Sequence, residues 1–421
     1  MPRGGPPTRW RGIARTPEGT GHHRTITSTD AVHAGDQRQK PFDSVPTAVV
    51  QTSTYTFADS DEIVAYTEGR HPDAERGEYG RYGNPTVRAV ENRLSALEGT
   101  EDAAIFTSGM SAFTTTVLSL VKGGQHVVLF RDCYRMTLEF VIEVLGRFGV
   151  THTLLEAGDV ASLPNAIRPE TRLVLSESPT NPYLSCIDLE RVAAACKERR
   201  HVKSLIDATF ATPVNCRPAS FGIDLIVHSA TKYIAGHNDV LAGVVCGPAG
   251  LVSLIRDLRG VLGGVCDPHA AFLVGRGMKT LALRVEKQNA TALAIAERLS
   301  RHPGISRVFY PGLPTHATHA VARAQMRGYG GVVSFIVKGG LDAARRVVDG
   351  AKLAQIGPSF GGVETLIEQP AVMSYYGLTT EQRAAIGIDD GLVRLAVGIE
   401  DAADLIEDLE GALAAAGMNS A

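Results

Sequence analysis

Residues 224–239 read DLIVHSATKYIAGHND. The apolar run Leu225, Ile226, Val227 ends in His228, Ser229, Ala230 and Thr231, and Lys232 follows at once. A run that is apolar throughout, rather than alternating, suits a strand buried on both faces. A lysine at the end of such a strand is either a surface point charge or a partly desolvated amine. Desolvation disfavours the ammonium form and lowers its pKa, and a neutral amine can form a Schiff base with an aldehyde. Ser229 and Thr231 are ordinary turn or capping hydroxyls, or a pair suited to a phosphate oxygen. Gly236 is suited to turning the chain away from a crowded site.

Working outward, five further apolar runs precede this one: AAIFTSGM (103–110), HVVLF (126–130), THTLLE (151–156), RLVLSES (172–178) and VKSLIDAT (202–209). Helical or turn segments separate them. Strand–helix alternation predicts an α/β fold, a mostly parallel sheet with helices on both faces. Ligands in that architecture gather at the carboxyl ends of the strands. Four chemically suggestive segments sit there: SGM, ESPTNP (177–182), Asp207, and Ser229 to Lys232. The pattern changes near residue 276. GRGMKTLALRVEKQNATALAIAERLSRHPG (275–304) reads as one long helix, with Leu281, Val285, Ala292, Ile295 and Leu299 near helical spacing. It leads into a smaller α+β domain with strands in GGVVSFIV (330–337) and LVRLAVGI (392–399). A last helix in 401–417 is closed by Gly417. The expected division is a disordered tail over 1–28, an arm over 29–85, a large domain over 86–275 and a small domain over 276–421.

The chain of 421 residues is 44% apolar and 21% charged, with a net charge of −3. That is ordinary for a globular protein, with no basic stripe that would follow a phosphate backbone and no membrane-length apolar run. Nucleic acid and membrane are therefore not expected partners. Cys133, Cys186, Cys196, Cys216, Cys246 and Cys266 form no CxxC pair, and none sits at zinc-finger spacing from a histidine. They read as buried fillers in a reducing, cytoplasmic setting, and no metal site is expected. Residues 1–28 contain five arginines, one acid and no apolar h-region. This excludes a secretory signal and leaves a tail, an early start codon or a transit peptide.

A lysine with hydroxyls beside it suits pyridoxal phosphate (PLP), which has an aldehyde to capture and a phosphate to hold. That cofactor also needs a carboxylate at its ring nitrogen, which makes the ring an electron sink. Asp207 is the candidate, with a turn or N-cap aspartate as the plainer alternative. Gly109 and Met110 open a helix after a strand, where backbone N–H groups bind phosphate well. Tyr134 follows the next strand, where it can stack on a flat ring or simply pack.

Taken together, EYGRYGNPT (78–86), TSGM (107–110), DCY (132–134), ESPTNP (177–182), IDATF (206–210), HSATKYIAGHNDVLAG (228–243), PSFGGVETLIEQPAVMS (358–374) and LVRLAVGIED (392–401) resemble the Cys/Met-metabolism family of fold-type I PLP enzymes. The resemblance spans about residue 30 to the C-terminus and is nearest the plant-type cystathionine γ-synthase branch. It implies that Lys232 holds the cofactor aldehyde and shuttles protons, that Asp207 pairs with the ring nitrogen, and that Tyr134 stacks on the ring. Gly109, Met110, Ser229 and Thr231 would hold the phosphate, with Thr209 among the cofactor contacts and Asn181 near the cofactor hydroxyl. Tyr79 and Arg81 would reach the phosphate of a neighbouring subunit's cofactor. The site would then need a dimer, in a family usually built as a dimer of dimers. Ser359 and Arg394 would bind the substrate carboxylate, for which a planar guanidinium fork is suited. The implied reaction is γ-substitution through a vinylglycine-like intermediate. A γ-lyase, releasing a 2-oxo acid and ammonia, is the alternative from the same residues.

One stretch departs from the plant-type pattern. That branch reads DCYRKTR, whereas this chain reads DCYRMTLEF, with Met136 and Leu138 in place of two cations and Arg135 kept. A dianionic leaving group would lose stabilisation there. The expectation is an amino-acid donor whose leaving group is an acyl ester or a sulfonium such as S-adenosylmethionine, with Met136 and Leu138 as substrate contacts. The family's methionine γ-lyases carry cysteine at the Met136 position, which does not favour that alternative. A non-catalytic binding module or a structural protein would have no use for the whole set of Lys232, Asp207, Tyr134, Ser229, Thr231 and Arg394.

Overall fold

The structure, a computed structural model, describes residues 26–72 and 77–418. The expected tail, up to residue 25, lies outside the described residues. Seven strands form the larger sheet: β1 Asp102–Phe106, β2 His126–Phe130, β3 Thr151–Leu155, β4 Thr171–Glu177, β5 Lys203–Asp207, β6 Leu225–His228 and β7 Gly243–Gly247. Their order is β1-β7-β6-β5-β4-β2-β3. The β6-β5-β4-β2-β3 pairings are parallel, and β7 runs antiparallel to both β1 and β6.

The apolar runs follow from burial on two faces. Along β2, Val128 and Phe130 join one hydrophobic cluster while Val127 and Leu129 join the other, and β4, β5 and β6 alternate in the same way. Each strand therefore needs apolar side chains at successive positions rather than at every second one. The expected parallel strands are all present. β7 is an addition. Its GVVCG segment is framed by glycines and only five residues long, so it carries no periodic signal.

A second sheet has the order β10-β11-β12-β9-β8, from β8 Ile305–Phe309, β9 Val332–Val337, β10 Gln355–Ile356, β11 Leu366–Glu368 and β12 Leu392–Ala396. The helices Gly340–Gly350 and Leu281–Leu299 pack on it, and the helix Ala402–Ala415 packs on those two and ends with Met418 N–H bonding back to the carbonyl of Leu413. The single long helix expected from residue 275 onward is instead two, Pro268–Met278 and Leu281–Leu299. The break has a local cause. The buried Arg284 guanidinium donates to the carbonyls of Gly277 and Tyr233 and to the Thr280 hydroxyl. The bond to Gly277 takes up a backbone carbonyl that a continuous helix would use. The expected core positions Leu281, Val285, Ala292, Ile295 and Leu299 are all buried.

A buried ion network fixes β1 against its helices. Glu91, on the helix Pro85–Glu98, accepts from Arg259 at 2.7 Å and from the Ile105 N–H at 3.1 Å. Asp102 accepts from Arg88 at 2.6 Å and Arg256 at 2.8 Å. Among the described residues no helix is long and apolar enough to cross a membrane.

Candidate active site

Three strand ends of the larger sheet converge. After β1, Ser108 caps the helix Gly109–Leu120 by accepting the Ser111 N–H. Gly109 and Met110 open this helix, so their N–H groups have no intrahelical acceptor. A Cβ on Gly109 would lie 2.9 Å from the Cβ of Ser229, so only glycine lets this turn meet the end of β6. Asp207 closes β5, where its Oδ1 accepts the N–H and hydroxyl of Thr209 at 2.9 and 2.6 Å. The Thr209 oxygen accepts in turn from the Ser229 N–H at 2.8 Å. Thr209 thus ties the carboxylate to the hydroxyl segment. Burial pushes the Asp207 carboxyl up, and the bonds from Thr209 counter this.

Lys232 follows on a tight turn closed by its own N–H on the Ser229 carbonyl. Gly236, at φ +75°, then carries the chain away beneath Arg284. The Lys232 Nζ donates to the Ser359 Oγ at 2.8 Å and lies 5.1 Å from the centre of the Phe360 ring. Burial, helped by the charge of Arg394, lowers its pKa to about 8. Of the two readings open from the sequence, the partly desolvated amine is the one this environment supports. Capture of an aldehyde needs the neutral amine, so covalent uptake of PLP by cofactor-free protein is expected to quicken about tenfold per pH unit up to about pH 8 and then level off. Absorbance after mixing measures it, and a rate independent of pH over this range would show that Lys232 is not the limiting group.

Arg394 lies in β12, directly opposite Glu368 of β11 and Ser334 of β9. It is 4% exposed. Its guanidinium donates to Asn181 Oδ1 at 3.1 Å and to the Ser359 carbonyl at 3.2 Å, and it pairs with Glu368 at 2.9 Å. Its Nε has no partner among the described residues. A cation this deeply buried with an unused donor is poised to receive another anion. Ser359 is the joint between the two sheets, with its hydroxyl on Lys232 and its carbonyl on Arg394.

The remaining expected residues are placed unevenly. Tyr134 is 43% exposed at the start of the helix Arg135–Glu139, and its N–H donates to Glu177 at 2.7 Å. It shares a cleft with Arg135, Asn181, Glu368, Pro370 and Tyr375. Met136 and Leu138 are not part of that lining. Leu138 instead packs against both hydrophobic clusters, because an apolar side chain on this short helix faces the core below it. The cleft-facing neighbour of Tyr134 is Arg135. Thr231 has backbone partners. Its hydroxyl donates to the Ala242 carbonyl at 3.1 Å and accepts the Ala242 N–H at 2.9 Å. Its proton is thus committed to the backbone, and the Ser229 hydroxyl is left as the freer of the two. Tyr79 is 43% exposed. The Arg81 guanidinium lies 5.1 Å from the Tyr79 ring centre and reaches the Gly260 carbonyl. Phe360, Glu368, Glu177 and Tyr375 were not singled out from sequence. Glu177 opens the quoted segment ESPTNP, and Phe360 and Glu368 lie in PSFGGVETLIEQP, where their distance from Lys232 and Arg394 in the chain hides their contact.

The residues present fit PLP. There is a desolvated amine for its aldehyde, and a glycine-sized cradle of free amides beside Ser229 for its phosphate. The Asp207 carboxylate has its internal bonds confined to one oxygen. The comparisons with known proteins agree. Residues 28–414 match the family described as Cys/Met metabolism PLP-dependent enzyme. The chloroplastic cystathionine γ-synthase 1 of Arabidopsis thaliana is 48% identical, over 91% of this chain and 68% of that protein. An L-methionine γ-lyase of Fusobacterium nucleatum subsp. polymorphum is 39% identical, over 91% of this chain and 96% of that protein. The crystal structure of metB from Corynebacterium glutamicum superposes with a TM-score of 0.84 at 35% identity, covering 92% of this chain and 97% of that one.

Proposed function

The chain belongs to the Cys/Met-metabolism PLP-dependent enzyme family, and from that premise we propose that it catalyses γ-substitution on a γ-activated amino acid. The observation that carries this is the junction at Ser359, which sets the Lys232 amine and the Arg394 guanidinium on either side of one residue. A substrate carboxylate on Arg394 would then place the substrate amine and Cα within reach of Lys232. PLP, when bound, supplies an aldehyde for the substrate amine and a ring that draws electrons from Cα and Cβ.

The chain's own residues do the rest. Lys232 removes the Cα proton and carries protons between carbons, which its lowered pKa suits. Asp207 would pair with the ring nitrogen, and Tyr134 would lie against the ring. The Gly109 and Met110 amides with Ser229 would hold the phosphate. Arg394, steadied by Asn181, orients the substrate. Tyr79 and Arg81 complete the site of a neighbouring subunit. The exposure of Tyr79, with Arg81 beside it, supports a homo-oligomer with shared sites, a dimer of dimers, in which residues 29–85 act as the arm.

The donor is one whose leaving group is an acyl ester or a sulfonium. Arg135 is the cleft-lining cation beside Tyr134, and a dianion asks for more than one. Steady-state kinetics with O-phospho-, O-acetyl- and O-succinylhomoserine and S-adenosylmethionine test this. An acyl or sulfonium donor is expected to exceed the phosphate ester in kcat/KM by about tenfold or more, and the reverse order would sink the assignment. A γ-lyase is the second reading, favoured by the methionine γ-lyase relatives. It is recognised by release of 2-oxo acid and ammonia with no nucleophile present. All six cysteines are unpaired and buried, which supports a reducing, cytoplasmic setting.

A further inference from the structure

Glu177 closes β4, and in the sheet register it sits directly opposite Asp207, the last residue of β5. Side chains opposite one another in adjacent strands share a face, so the two carboxyls emerge side by side. Glu177 is 4% exposed, and its Oε2 accepts the Tyr134 N–H at 2.7 Å. That amide starts the helix Arg135–Glu139, where no helical carbonyl is available to it. One buried carboxyl therefore touches the residue expected on the cofactor's ring face and neighbours the residue expected at its ring nitrogen.

We propose that Glu177 is a positioning residue that fixes the backbone of Tyr134 and remains the neutral acid, so that Asp207 alone carries the negative charge at the ring nitrogen. The inference rests on the cofactor's orientation given above. The groups that face Glu177 are acidic or neutral: Asp207 from β5, Asp132, Cys133 and Tyr134 from the turn after β2, and Tyr375 from beyond the helix Pro370–Met373. Two adjacent buried carboxylates do not both ionise without a cation between them. Asp207 has two donors from Thr209, and the Tyr134 N–H is the donor to Glu177. Burial and the charge of Asp207 accordingly raise the Glu177 carboxyl well above its ordinary value.

Glu177→Gln imitates the neutral acid and keeps the acceptor for Tyr134, whereas Glu177→Ala removes both. Cofactor affinity is expected to stay within about twofold in Glu177→Gln and to weaken about tenfold in Glu177→Ala. Thermal unfolding of the full chain against pH provides a readout independent of turnover. Folded Glu177 keeps its proton while the unfolded chain loses it above the ordinary value of 4.5. Wild-type stability therefore falls as pH rises through this range, and this part of the fall is absent in Glu177→Gln. The gap between the two melting curves should widen with pH. A constant gap would mean that Glu177 is ionised, and cofactor affinity unchanged in Glu177→Ala would mean that it positions nothing. If Glu177→Ala does not fold, the pH comparison with Glu177→Gln still decides. Wild-type protein that binds no PLP would overturn the cofactor assignment itself.

Discussion

Replacing Lys232 with alanine is expected to lower turnover by at least about 10⁴-fold while leaving the fold intact. The size of the loss follows from two tasks resting on one atom. Nζ is the group that bonds to the aldehyde, and it is the base near Cα. The intact fold follows from the cost of burying that amine. Its pKa of about 8 records a charge held where water would hold it better. Its hydrogen bond to Ser359 and its contact with Phe360 are its main returns. Losing the amine therefore relieves desolvation and forfeits one bond, and the melting temperature should move little. Borohydride reduction provides the second check. It should fix the cofactor to wild-type protein and fail to fix it to Lys232→Ala. A variant with turnover within about tenfold of wild type would remove Lys232 from the chemistry.

Arg394→Leu should be costly in a different way. A bidentate guanidinium–carboxylate contact consists of charge-assisted bonds, so kcat/KM is expected to fall about 10²–10³-fold. Stability should also suffer, because Glu368 would be left buried and unpaired at a position where one of its oxygens already lacks a partner. Breaking a buried pair from one side typically costs about 3–5 kcal/mol. The double variant Arg394→Leu with Glu368→Leu separates the two losses. Replacing both charges with packed apolar groups should restore most of the melting temperature and none of the activity. Recovery of activity in the double variant would mean that Arg394 serves the fold rather than the substrate.

Much of this arrangement is legible in the chain because chemistry and burial coincide at strand ends. An apolar run followed by Asp207 or by Ser229–Lys232 announces both a buried strand and a polar group at its mouth. The motif HSATKYIAGHNDVLAG adds a level of specificity that periodicity lacks. Other features depended on contacts between distant segments. Nothing local shows that the Thr231 hydroxyl turns to the Ala242 backbone, or that Leu138 faces the core while Arg135 faces the cleft. A short helix offers too few residues for its faces to be told apart. The pairing of Arg394 with Glu368 depends on the register of β11 and β12, and that of Glu177 with Asp207 on β4 and β5. Registers are set by the whole sheet. The split of the expected long helix came from Arg284 reaching back to Gly277, Thr280 and Tyr233, a many-body arrangement that the helical spacing of residues 281–299 gives no sign of.

The junction at Ser359 has a consequence for engineering. The groups fitted to the cofactor come from the ends of β1, β2, β5 and β6, whereas the carboxylate-binding arginine comes from β12. The two sets meet across one serine and Phe360. A mutational library confined to Pro370 and Ser374, which line the cleft but lie outside the set fitted to the cofactor, would therefore explore new donors and nucleophiles with little disturbance of cofactor loading. Colonies could be sorted first by their yellow colour, which reports an intact cofactor site, and only then assayed for product.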